Sequence, residues 1–325
     1  MSYQATVVTG SFTGNGTTQT ITLPWTPAVV MLVNSNTGTA THKGMAVKFD
    51  VMPTTGMFVF GSAKSGTSGY ITTNGLSFSG ASFIVGSNLI INGNGDTIYW
   101  AAFKQGPWID TGTYAGNKTD GVGGTQTIVT GRSSQNAQLM IAKNGTAKSF
   151  SFRLAGLANL AQFMYTTTAN LTTANTLQYA SNGFIVNNVS AGNPASLNVL
   201  GETFYYAILY ETDGDLVNGD LGDTRTAVSD TTTTGGAGTT TTITLGSKPH
   251  VVWAGFFGGT TRLDVSFDSM PSPGGMDFQF GGQAANNPAW FTTAAGAIQI
   301  QSTGFVDPSA NNSGGISLYS NSQVN

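Results

Sequence analysis

Gly95-Asp96-Thr97-Ile98-Tyr99-Trp100-Ala101-Ala102-Phe103-Lys104 is aromatic, β-branched or small at nearly every position and poor in helix formers. Such a run predicts a buried β-strand. The phrase returns 106 residues on (201 − 95) as Gly201-Glu202-Thr203-Phe204-Tyr205-Tyr206-Ala207-Ile208-Leu209-Tyr210. A shortened form without the aromatic block, Gly315-Ile316-Ser317-Leu318-Tyr319-Ser320, comes near the end. A strand that closes a segment three times divides the 325 residues into three similar units, expected at 1–110, 111–222 and 223–325.

Other phrases keep the same order within each unit. Thr18-Gln19-Thr20-Ile21-Thr22 corresponds to Thr125-Gln126-Thr127-Ile128-Val129, and Thr20-Ile21-Thr22-Leu23 to Thr242-Ile243-Thr244-Leu245. Continuous apolar strands follow at Ala28–Val33, Gln138–Ala142 and Val251–Phe256. Lys48-Phe49-Asp50-Val51-Met52-Pro53 matches Ser266-Phe267-Asp268-Ser269-Met270-Pro271. Polar and apolar residues alternate from Gln19 to Leu23, the period of a half-buried strand, and Gly14-Asn15-Gly16 supplies a turn that tolerates positive φ. No stretch carries a helical period of 3.6. Many short strands with frequent turn residues predict an all-β chain of three tandem β-sandwich domains, jelly-roll-like or immunoglobulin-like, each with its own core. Tyr99, Phe103, Phe204 and Ile208 are the expected core residues of the repeated strand, and Ile21, Ile128 and Ile243 should fall on corresponding strands.

Composition narrows the function. Only 8% of residues are charged, against about 25% in an average globular protein. The net charge of −3 comes without a basic run, which argues against a nucleic-acid groove. No apolar run approaches the roughly 18 residues of a membrane helix. Cysteine is absent, so packing and hydrogen bonds must hold the fold. Met1–Thr6 has neither the basic nor the apolar part of a signal peptide, which points to synthesis in a cytoplasm.

The frame Gly-Phe-x-Val followed by Gly-(acid)-Thr-(Ile/Phe)-Tyr-(Trp/Tyr)-Ala spans Gly75–Phe103 and Gly183–Tyr210, and a reduced form spans Gly304–Tyr319. Together with the opening Gly-(Ser/Thr)-(Phe/Tyr), a Gly/Asn turn and Thr-Gln-Thr-Ile, it resembles repeated domains of tailed-bacteriophage virion structural proteins. The likeness covers most of the chain, and its motifs fix a β core rather than a site. It implies a non-enzymatic protein on the virion exterior, assembled in the host cytoplasm as capsid decoration, head fibre or tail-fibre module. Major capsid or tail proteins would be its partners, in a homo-oligomer or a pseudo-symmetric assembly. The rival readings are an adhesin that binds a host-surface glycan or protein and a depolymerase.

Candidate chemistry is sparse. Asp213, Asp215, Asn218 and Asp220 lie on a Gly-rich acidic loop and could offer oxygen ligands to Ca²⁺, though the bidentate Glu that completes a calcium loop is missing. The plainer reading of the stretch is a solvated acidic linker between the second and third units. No other cofactor is expected. His42 and His250 are the only histidines, and nothing in the sequence places an acid beside either ring. Glu202 and Glu211 are the only glutamates a glycosidase pair could draw on, and Asp96 at the position of Glu202 reads better as an acid capping a turn. Trp108, Tyr70, Tyr114 and Trp290 are the aromatics available to stack on a sugar if exposed.

Overall fold

A computed structural model describes residues 6–36, 42, 44–61, 69–119, 122–134, 137–144, 149–153, 163–166, 176–188, 196–210, 231–233, 240–244, 248–257, 261–280, 289–291, 298–308 and 315–322. These residues form antiparallel sheets, turns and one short helix.

The first third contains β1 (Val7–Thr13), β2 (Gln19–Thr22), β3 (Pro27–Asn34), β4 (Gly44–Phe49), β5 (Met57–Gly61), β6 (Gly69–Ile71), β7 (Leu76–Phe78), β8 (Ser82–Val85), α1 (Leu89–Asn92) and β9 (Thr97–Lys104). Its large sheet runs β1-β9-β3-β4-β5-β6 and its small sheet β2-β8-β7. The next stretch contains β10 (Ile109–Ala115), β11 (Gly124–Val129), β12 (Gln138–Asn144), β13 (Ser149–Arg153), β14 (Phe163–Thr166), β15 (Leu177–Ala180), β16 (Gly183–Asn188) and β17 (Thr203–Leu209). Here the orders are β10-β17-β12-β13-β14 and β11-β16-β15. The last stretch contains β18 (Thr231–Thr233), β19 (Thr240–Thr244), β20 (Pro249–Phe257), β21 (Thr261–Phe267), β22 (Gly275–Phe280), β23 (Ala289–Phe291), β24 (Gln299–Gln301), β25 (Gly304–Pro308) and β26 (Gly315–Ser322). They order as β18-β26-β20-β21-β22-β23 and β19-β25-β24.

The recurrent closing strand is β9, β17 or β26. Each time it lies between the opening strand of its large sheet and the apolar strand. β26 takes this place without the aromatic block, since main-chain pairing to β20 and β18 suffices to define it. In the small sheets Ile21 faces Phe83, Ile128 faces Phe184 and Ile243 faces Phe305.

β3 is buried along its whole length because both its faces are covered. Side chains alternate across a strand. Val30 and Leu32 therefore join Ala46, Val59, Leu76, Phe83, Val85 and Trp100 between the large and small sheets. Val29, Met31 and Val33 point the other way, into a second cluster. Leu139 and Ile141 of β12 likewise meet Phe184 and Val186 of the small sheet, while Met140 and Ala142 face the second cluster. Phe103, Phe204 and Ile208 are buried as expected, and Tyr99 is partly buried against the second cluster.

That second cluster changes the expected organisation. It joins Phe49, Phe58, Phe60, Tyr70 and Phe103 of the first third, Phe150, Phe152 and Tyr205 of the second, and Trp253, Val265 and Phe267 of the last. The first two thirds do bury apolar clusters of their own, but all three also share a common core. Hydrophobic stabilisation scales with the apolar area removed from water, so each large sheet stabilises its neighbours as well as itself.

Candidate functional site

The shared core has specific ring contacts at each junction. Phe150 packs against Phe60 with centroids 4.9 Å apart, Phe58 at 5.2 Å and Phe49 at 6.1 Å. Tyr70 and Tyr205 stack at 5.4 Å with planes 6° apart. Trp253 meets Phe103 at 5.9 Å and Phe152 at 6.1 Å. These spacings lie in the range where aromatic pairs contribute beyond their buried area.

Two carboxylates tie the junctions at their rims. Asp50 accepts hydrogen bonds from Thr111 Oγ1 at 2.6 Å and Gln105 Nε2 at 2.6 Å. Asp268 accepts a short hydrogen bond from Thr9 Oγ1, and Ser269 Oγ donates to the Gly10 carbonyl at 3.1 Å. Both aspartates sit in the same local turn, and the Phe-Asp-x-Met-Pro phrase explains it. The Phe49 and Phe267 amides point at the sulfurs of Met52 and Met270. The Met52 and Met270 amides return to the carbonyls of Phe49 and Phe267. The aspartate amides donate to Ala28 and His250 carbonyls, fixing each carboxylate at the end of its strand.

His250 Nδ1 lies 2.9 Å from Asp268, and Lys248 Nζ lies 3.7 Å away. Burial pulls the Asp268 carboxyl upward, but hydrogen bonds from His250 and Thr9 and the charges of His250 and Lys248 outweigh it and hold the group below its ordinary value. The Thr9 hydroxyl and the His250 imidazole bind the two different oxygens of the one carboxylate.

Asp96 is buried. It accepts from Asn34 Nδ2 at 2.9 Å and Asn36 Nδ2 at 2.5 Å, and His42 Nδ1 lies 2.8 Å away. At the matching place Glu202 pairs with buried Lys143 at 2.8 Å. These acids do more than cap a turn, since each anchors the end of the neighbouring apolar strand. The sequence expectation that no acid stands beside either histidine is therefore corrected: His42 meets Asp96 and His250 meets Asp268. Both partners are distant in sequence or across a strand pair, where spacing gives no sign of them.

The sugar-stacking candidates divide. Tyr70 and Tyr114 are buried, not exposed. Tyr70 belongs to the shared core, and Tyr114 stacks on Phe204 at 4.8 Å while its hydroxyl donates to the Leu197 carbonyl at 2.9 Å. Apolar area drives both rings inward once the hydroxyl can be accommodated. Trp108 is half-buried and donates from Nε1 to the Lys104 carbonyl at 3.0 Å. The Trp290 side chain, the calcium candidates Asp213, Asp215, Asn218 and Asp220, and Glu211 lie outside the described residues. Among the described residues no three His, Cys, Asp or Glu side chains come together as a metal site, and no helix is long and apolar enough to cross a membrane.

Several structural side chains were not anticipated. Lys48 is buried and donates to the carbonyls of Pro53 at 2.7 Å and Gly56 at 2.9 Å. Burial pushes its ammonium down to about 8, against the upward pull of Asp50. Arg153 is buried too, donating to the Leu177 carbonyl at 2.8 Å with its guanidinium 4.1 Å from the Tyr179 ring centre. Asn92 Oδ1 receives the Asn15 amide at 2.9 Å and Gln19 Nε2 at 2.7 Å, and Asn198 Oδ1 receives the Asn117 amide at 2.9 Å. Gln138 lies on the face of β12 that carries Met140 and Ala142; it is fully buried, and neither amide atom has a partner among the described residues.

No protein-family model matches the chain, and no curated protein matches it.

Proposed function

We propose that this chain is a non-enzymatic structural protein of a tailed-phage virion exterior, working through protein–protein interfaces as capsid decoration, head fibre or tail appendage. Its three units, 1–110, 111–222 and 223–325, are copies of one β-sandwich, jelly-roll-like or immunoglobulin-like, fused in tandem. The observation that carries the reading is the shared aromatic core. A chain that spends Phe150, Tyr205 and Trp253 on joining its own units is organised as a rigid block. The carboxylates Asp50, Asp96, Glu202 and Asp268 are committed to ties within that block. The resemblance of the repeated frame supplies the virion context. Among the described residues, exposed Leu89, Val122, Val129 and Leu200 are the large apolar side chains on offer to capsid or tail neighbours. The block assembles in the host cytoplasm and needs no cofactor.

A density map of purified particles from a phage encoding the chain tests this. The expected result is the chain on the outer surface, burying more than about 1,000 Å² against its neighbours. Absence from the particle overturns the reading. The adhesin alternative keeps Trp108 and Trp290 as stacking candidates, and saturable binding of the purified chain to a glycan array would favour it.

A further inference from the structure

Thr111 of the second third holds Asp50 of the first, and Thr9 of the first holds Asp268 of the last. The donors are counterparts: Thr9 faces Ala101 and Thr111 faces Ala207, at the same place on the repeated closing strand. The acceptors are counterparts as well, each following a phenylalanine whose amide points at the sulfur of a Met three residues on. One head-to-tail relation thus carries the second third onto the first and the first onto the last. A repeated head-to-tail contact either closes into a ring or runs on as an open helix. Here the last third also meets the second, through Trp253 and Phe152 at 6.1 Å, within the same cluster that holds Phe103 and Phe150. The series closes after three.

We infer that the chain is a ring closed on itself about a pseudo-threefold axis, a monomer that stands in for a homotrimer. The partner it fits is a threefold arrangement of three like protein subunits, which takes one chain per three. The identity of that partner as a virion shell or tail protein rests on the function proposed above; the closure does not. A closed ring has used its head-to-tail faces internally and leaves none to recruit another copy. Three equivalent surfaces around one axis match three equivalent surfaces on a threefold partner, and symmetry matching maximises the contacts made at once.

The chain has no cysteine, so introduced pairs report cleanly. Thr111→Cys with Asp50→Cys joins two consecutive thirds and serves as the control; Thr9→Cys with Asp268→Cys joins the first third to the last. Both double variants should cross-link within one molecule when treated with a short bis-maleimide. A rod of three units would cross-link the first pair only, and that result, or cross-linking of Thr9→Cys/Asp268→Cys only between molecules, overturns closure. Light scattering of the unaltered chain needs no variant to fold. It should give the 33.5 kDa of one chain at all micromolar concentrations, and a threefold larger mass overturns the monomer. On particles, density refined without imposed threefold symmetry should show one chain per axis; three chains per axis overturns the partner. If the chain is absent from particles yet cross-links as a ring, the virion role and its threefold partner fail while closure stands.

Discussion

Lys48 and Gln138 are the two residues whose energetics are most exposed to test. Lys48 carries an ordinary lysine ammonium in the unfolded chain and one lowered to about 8 when folded. Between pH 8 and 10.5 the unfolded state therefore binds more protons, and folding stability from this group rises as pH increases through that window. Each unit of such a difference is worth about 1.4 kcal/mol. Chemical denaturation of the unaltered chain and of Lys48→Met should show the gap between them shifting in favour of the unaltered chain from pH 8 to 10.5. A constant gap would mean that Lys48 is not desolvated. Gln138 gives the opposite kind of effect. A buried amide without partners carries a desolvation penalty of about 1–3 kcal/mol, which an apolar group of similar volume removes. Gln138→Met should raise stability by about that amount in thermal or denaturant unfolding, whereas a loss would show that the amide is hydrogen-bonded in solution.

At the scale of elements, much of the fold was legible. The alternation at Gln19–Leu23, the solid apolar run of β3 and the aromatic closing strand each announced their burial through the period of their side chains. The short β6 escaped because its pairing to β5 rather than any pattern of its own defines it. Two glycines show how local and global constraints meet. Gly10 lies under the Trp100 ring and Gly112 under the Tyr206 ring, and a Cβ at either position would collide with the aromatic opposite. The asparagine latches were invisible in sequence, because Asn92 and Asn198 bind backbone groups of turns far earlier in the chain. Asn92 fastens two turn residues and the Gly86 carbonyl just past β8 as well as Gln19, while Asn198 fastens fewer groups. Asn198→Ala should cost about 1–3 kcal/mol by orphaning the Asn117 amide and the Gly124 carbonyl, and Asn92→Ala should cost more. Equal, negligible losses in denaturant titrations would reject the latch.

For the whole molecule, the repeated strands predicted three similar units but not what joins them. Core residues on a strand read alike whether they face the nearby small sheet or another third of the chain, so a shared core leaves no separate mark in the sequence. Phe150 illustrates this: its strand neighbours are ordinary, yet its ring lies among Phe49, Phe58 and Phe60 from about a hundred residues earlier. The polar ties were hidden for the same reason, since Thr9 and Asp268 are 259 residues apart in sequence. Hydrogen exchange on Phe150→Ala measures the shared core most directly. Phe-to-Ala truncation of a buried ring costs about 3–5 kcal/mol. If the core is common, amide protection should fall in β4 and β5 of the first third together with β12 and β13 of the second. Protection lost only within residues 111–222, with the first third unchanged, would contradict it.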